Sequence, residues 1–155
     1  MTGDERPMLQ GWLDWQRHTL LHKCAGLTAE QLRIAAAEPS NLTLLGLVRH
    51  MTLVERQWFR SRAAGLSELP EQFDDDQEFT DLANADAEAD FAAFRAEIEA
   101  ADEAVAKLPL DHEFATKRTP AISLRWVYIH MIEEYARHNG HADLLRERID
   151  GETGD

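Results

Sequence analysis

The chain from Ser123 to Ile149 carries an apolar stripe at helical spacing that is interrupted in its middle by residues suited to hold a metal. The inward series begins at Val127 and Met131, passes through Glu134, His138 and His141, and resumes at Leu145 and Ile149, with His130 beside the same stripe. Burying a carboxylate and two imidazoles without partners costs several kcal/mol, on the order of the desolvation of each group. These residues therefore need a partner, and a metal ion is the simplest one.

Three further segments have the same helical period. One runs from Met8 to Ala25, with Gly26 as its C-cap and Thr28 with Gln31 at capping-box spacing just after it. A second runs from Thr43 to Ala64, with Leu44, Leu47, Val48, Met51, Val54, Trp58 and Phe59 as its apolar face. The third is marked by Ala87, Phe91, Phe94, Ile98, Ala101, Val105 and Leu108. Ser123 is the expected N-cap of the last helix and Gly151 its stop. Between the second and third lies a stretch, residues 65–82, with Gly65, Pro70 and the run Asp74 to Asp76, read as an acidic loop. No segment alternates as a strand does. The fold class expected is all-α, a four-helix bundle whose connections are long enough for a crossover, and residues 1–155 are expected to form one domain.

Composition excludes several roles. With 16 Lys and Arg against 29 Asp and Glu, the formal net charge of −13 repels nucleic acid and anionic membrane surfaces. No stretch approaches the roughly 18 apolar residues of a membrane span, and the N-terminus lacks the pattern of a signal peptide. A cytoplasmic protein with a small-molecule substrate is expected. Cys24, the single cysteine, excludes an internal disulfide and reads as core filler.

The second helix places one polar residue, His50, on its inward series of Thr43, Leu47, Val54 and Trp58. Alone it would be read as a core histidine. Bundle metal sites, however, combine inward side chains of facing helices with an i,i+3 or i,i+4 pair on one of them. Glu134 and His138 are an i,i+4 pair, and His138 and His141 an i,i+3 pair. His50 with either pair makes three protein ligands and leaves a position open, as in a catalytic zinc site. His18 and His22 interrupt no comparable apolar series and are read as surface histidines. The Asp74 to Asp76 run lacks the alternating oxygens, central glycine and closing Glu of a calcium loop. Arg137, beside the ligands, and Lys117 with Arg118 in the preceding loop are the residues considered for a carboxylate of substrate or thiol cofactor.

Two stretches carry a family resemblance. Leu44-Leu-Gly-Leu-Val-Arg-His-Met-Thr-Leu-Val-Glu-Arg-Gln-Trp and, far downstream, Ile132-Glu-Glu-Tyr-Ala-Arg-His-Asn-Gly-His-Ala-Asp-Leu-Leu-Arg-Glu closely resemble the DinB-like superfamily, and more narrowly an actinobacterial branch of it. The resemblance extends over nearly the whole chain. It implies a four-helix bundle, often a homodimer, with a divalent metal held by one histidine of helix two and two residues of helix four. Several such proteins use the metal to activate a low-molecular-weight thiol, mycothiol or bacillithiol, for S-transfer or for isomerisation of maleylpyruvate.

Carried over, the helix-two ligand is His50 and the helix-four ligands come from Glu134, His138 and His141. Many relatives place two helix-four histidines at i,i+4, whereas the residue four after His138 is Ala142. Either His141 substitutes at i,i+3, or Glu134 pairs with His138 as in the maleylpyruvate isomerase branch. The preferred set is His50, His138 and His141, with Glu134 as alternate ligand or as a group orienting an imidazole. The metal expected is zinc, with nickel, manganese and iron accepted by the same donors. The function expected is that of a metal-dependent thiol S-transferase of the mycothiol type. The alternatives are a non-catalytic metal or small-ligand binding bundle, and a structural dimer whose polar stripe holds buried water.

Overall fold

The computed structural model describes residues 2–66, 77–80, 82–117 and 119–154. Pro70, the Asp74 to Asp76 run and Arg118 lie outside the described residues.

Local capping sets the helix ends. Helix α1 spans Glu5–Cys24, three residues earlier at its start than the apolar series indicated. Pro7 is tolerated there because the amides of a first helical turn have no intrahelical acceptor to lose. Gly26, at φ +78°, then turns the chain in the left-handed region that a side chain disfavours. Thr28 and Gln31 exchange both capping-box bonds at the start of the one-turn helix α2, Ala29–Leu32.

Helix α3, Leu44–Glu55, opens with the Thr43 hydroxyl accepting from the Gly46 amide at 2.9 Å. It does not continue as an α-helix to residue 64. Over Arg56–Ala63 it widens into a π-helix, and the Ala64 amide donates to the Phe59 carbonyl, five residues back, at 2.9 Å. The wider turn suits the inward residues, since Glu55, Phe59 and Ala63 recur every four positions and all are buried. A short helix α4 covers Gln77–Thr80. Helix α5, Ala87–Val105, begins where the Asp86 carboxylate accepts from the amides of Glu88 and Ala89. Helix α6, Leu124–Asp150, is capped by Ser123 and stopped by Gly151 at φ +84°. Its 27 residues make it about 40 Å long.

The cross-links give each pair of helices its direction. Glu5 meets Arg125, Gln10 meets Tyr128, and Lys23 meets Asp143, so α1 and α6 run parallel. Glu55 meets Tyr135 and Phe59 meets Tyr128, so α3 runs antiparallel to α6. Arg49 faces Asp90 and Arg56 faces Glu97, so α3 and α5 are parallel. The bundle is therefore up-down-down-up. Parallel neighbours cannot be joined by a tight turn, and residues 64–86 separate the two helices in the sequence.

One core fills the space between the four long helices, with Leu13, Leu20, Leu47, Met51, Phe59, Phe94, Val127 and Met131 fully buried. Among the described residues the sequence reading missed one β-ribbon. Strands β1, Glu113–Phe114, and β2, Ile122–Ser123, pair antiparallel, Glu113 with Ser123 and Phe114 with Ile122. Two residues per strand are too few to produce an alternating pattern. The ribbon ties the α5 to α6 connection to the bundle, as the His112 ring contacts the Ala63 carbonyl at 3.1 Å. No helix among the described residues is long and apolar enough to cross a membrane.

Candidate metal centre

The antiparallel seam between α3 and α6 sets His50, Glu134 and His141 each beside His138, while among the described residues the only three ligand-type side chains whose atoms all lie within 4.8 Å of one another are His130, Glu133 and Glu134. His50 lies seven residues beyond its Thr43 cap and faces His138, with ring centroids 4.8 Å apart. His141 packs against His138 at 5.4 Å, and the Glu134 Oε2 atom stands 3.5 Å from His138 Nε2. Two ligand atoms about 2.0–2.1 Å from a tetrahedral zinc ion stand about 3.3 Å apart, so the Glu134 and His138 pair has the separation such a site requires.

The burial of α6 corrects the inward series. Its core positions are Val127, Met131, Tyr135, Asn139, Ala142 and Leu145, and the stripe passes one residue away from Glu134 and His141. Glu134 and His138 keep 18% and 12% of their side-chain surface exposed, so they border the core. A helical stripe advances by three or four residues, and both Glu134 and Tyr135 satisfy that step after Met131. Tyr135 wins because its ring is apolar and its hydroxyl finds a buried acceptor, Glu55.

The residues fit a divalent metal on two observations. First, His138 and His141 each hold a buried Nδ1 atom that has no hydrogen-bond partner among the described residues, so no protein acceptor fixes which nitrogen of either ring carries the proton. Second, the Nδ1 atom of His50 lies 2.9 Å from the Glu78 carboxylate, the kind of partner that stands behind a metal-ligating imidazole. Burial, with smaller contributions from His50, His141 and Arg137, brings the pKa of His138 down to about 4. Its imidazole is neutral at neutral pH, as a metal ligand must be.

The strip continues beyond these residues. His130, one turn before Glu134, is stacked on Trp126 at 4.7 Å and meets Trp58 edge-on at 4.7 Å. Burial, the leading cause, lowers its pKa against the opposing pull of Glu134 and Glu133. Ligand-type atoms of His130, Glu133 and Glu134 all fall within 4.8 Å of one another. Arg137 already engages both carboxylates there, through Glu133 and, at 3.6 Å, Glu134, with half of its side chain exposed. It stands at the rim of the centre. Lys117 is exposed in the α5 to α6 connection. His18 and His22 are exposed on α1, as read from the sequence.

Sequence reasoning missed two residues. Glu78 comes from α4, 28 positions after His50, and no local pattern marks it. Glu55 is fully buried and holds Arg17, and its place four residues after Met51 on an apolar face was the available signal.

The model of the family described as mycothiol-S-transferase matches residues 8–151. The chain belongs to that family. The family is part of the DinB-like superfamily, and membership points to a mycothiol-related transferase role. The fold agrees with a crystal structure of the conserved protein of a locus from Enterococcus faecalis, at a TM-score of 0.74 and 15% identity over 97% of this chain and 100% of that one. At that identity the likeness concerns the fold alone. No curated protein matches the chain.

Proposed function

We propose that this mycothiol-S-transferase family member uses a divalent cation at the α3–α6 seam to activate a low-molecular-weight thiol of the mycothiol type for transfer to a small electrophile. The observation that supports the reading is that His50, Glu134 and His141 each stand beside His138 at the seam of facing helices, and that among the described residues Nδ1 of His138 and Nδ1 of His141 are buried without a hydrogen-bond partner. His50 and His138 are common to both ligand sets, and Glu134 or His141 supplies the third donor. Zinc is the first choice of cation, and nickel, manganese or iron suit the same donors.

When bound, the cation would lower the pKa of a thiol so that it reacts as thiolate at neutral pH. The chain's own residues supply the rest. His138 is held neutral by burial, and Glu78 stands 2.9 Å behind Nδ1 of His50. Met51, Met131 and Tyr135 in the adjoining core keep water from the inner side of the seam. Arg137 at the rim is assigned to an acidic group of the thiol or its acceptor. The thiol gives up its proton, its sulfur forms a bond to the acceptor carbon, and the leaving group departs with the electron pair of the bond it breaks.

The same reading places the protein in the cytoplasm, as one domain that pairs with a second copy. Trp12 and Trp15, 44% and 67% exposed on α1, would be covered by such a pairing.

The test is conversion of monochlorobimane with mycothiol, glutathione or bacillithiol, together with elemental analysis of the purified protein. Metal-dependent turnover that disappears in His50→Ala and after chelation is expected. Bound metal with no turnover for any thiol and several electrophiles would leave a binding bundle in place of an enzyme.

A further inference from the structure

We infer that Glu78 is a positioning residue which sets the tautomer and ring orientation of His50 before any ion arrives. This rests on the metal-centre reading above and assigns a role that the ligand set alone does not include. An imidazole that donates a lone pair to a cation must carry its proton on the other nitrogen. An ionised carboxylate only accepts hydrogen bonds, so Glu78 Oε1 at 2.9 Å from His50 Nδ1 requires the proton to sit on Nδ1. Nε2 then holds the lone pair. Glu78 is 7% exposed, which shields the bond from competing water.

The neighbouring residue places Glu78. Phe79 lies 5.8 Å from the His50 ring and packs on α3 at Gly46, one turn before His50. A Cβ at position 46 would stand 2.5 Å from Phe79 Cδ1, a distance no side chain tolerates. Glycine inside a helix costs about 1 kcal/mol relative to alanine, and here its absence of a side chain provides the seat for the ring. Phe79 on Gly46 and Glu78 on His50 thus form one two-residue strap that docks α4 on the face of α3 bearing the ligand.

The α6 residues contrast with this arrangement. Among the described residues no acceptor meets Nδ1 of His138 or His141, so the helix-three donor is fixed by the protein while the helix-six donors are not. A carboxylate behind a ligating histidine is worth about 10- to 100-fold in metal affinity.

The test uses the full chain with Glu78→Ala and Gly46→Ala. Nitrogen-15 NMR of the metal-free protein reads the His50 tautomer, and competition with a chelator reads zinc affinity. The expected result is an Nδ1-protonated His50 in the parent protein that shifts toward the Nε2-protonated form in both variants. Zinc affinity should fall about 10- to 100-fold in each. If Glu78→Ala fails to fold, Glu78→Leu, of similar size and with no acceptor, takes its place. An unchanged tautomer overturns the proposal, as does zinc affinity within about twofold of the parent. A shifted tautomer in a protein that binds no zinc supports the positioning bond and removes the metal reading, so the two failures are distinct.

Discussion

Arg17 and Glu55 meet inside the bundle as a two-pronged ion pair, with Nε to Oε1 at 2.8 Å and Nη2 to Oε2 at 2.9 Å. Both side chains are almost wholly out of water. Glu55 also accepts from the Tyr135 hydroxyl at 2.8 Å, and the remaining Arg17 nitrogen reaches Asp14 and Asp102. The network joins α1, α3, α5 and α6 close to the candidate metal centre, since Glu55 follows His50 by five residues and Tyr135 precedes His138 by three.

Removing Arg17 leaves the buried Glu55 carboxylate without its counter-ion, whereas removing Glu55 leaves Arg17 paired with Asp14 and Asp102. Arg17→Met alone should therefore cost about 3–5 kcal/mol of stability, and Glu55→Gln less. The paired Arg17→Met, Glu55→Met variant should lose less than the sum of the two. Urea unfolding of the three variants measures this, and strict additivity would show that the two residues act independently.

Metal binding should identify the third ligand. His138→Ala is expected to abolish stoichiometric binding, because both ligand sets require it. If His141 ligates, His141→Ala loses the ion while Glu134→Gln weakens it about 10- to 100-fold. The opposite ranking assigns Glu134. Elemental analysis and chelator competition on the same preparations decide between them.

Acid should weaken the metal-free fold through His138. Its folded pKa of about 4 lies below the roughly 6.5 of an unfolded histidine, chiefly through burial. As pH falls below about 6.5 the unfolded chain takes up a proton that the folded one refuses, so stability declines until about pH 4, where both are protonated. The full shift corresponds to about 3 kcal/mol, and solvent at the edge of the site reduces this to about 1–2 kcal/mol. Urea midpoints at pH 7 and pH 5 should separate for the parent and separate less for His138→Ala. Equal separation would remove His138 from the account.

Cys24 should be inert in the native protein. Burial, opposed weakly by Arg146, pushes its thiol up to about 12, and only 4% of the residue is exposed. Ellman's reagent at pH 8 is expected to titrate about one thiol in urea and almost none without it. Rapid native labelling would contradict the packing role, as would loss of thiol transfer in Cys24→Ser.

What the amino-acid order determined by itself is what neighbouring residues settle among themselves. Thr43, Ser123 and Gly151 bound their helices through bonds within four residues, and apolar spacing identified four amphipathic segments. The candidate ligands on α6 stood out for the same reason, because i,i+3 and i,i+4 pairs share a face wherever that helix is placed. The rotation of α6 was not. Glu134 and Tyr135 satisfy the period equally, and the choice between them belongs to Glu55 on α3, 80 positions away in the chain. Nor could spacing show that Glu78 would reach His50 or that Arg17 would close on Glu55, since those contacts exist only after the crossover has set α3 parallel to α5. Caps and stripes are short-range and decided by a few adjacent atoms, whereas contacts between helices depend on how every helix is turned and slid against the others. The tertiary structure alone decided those.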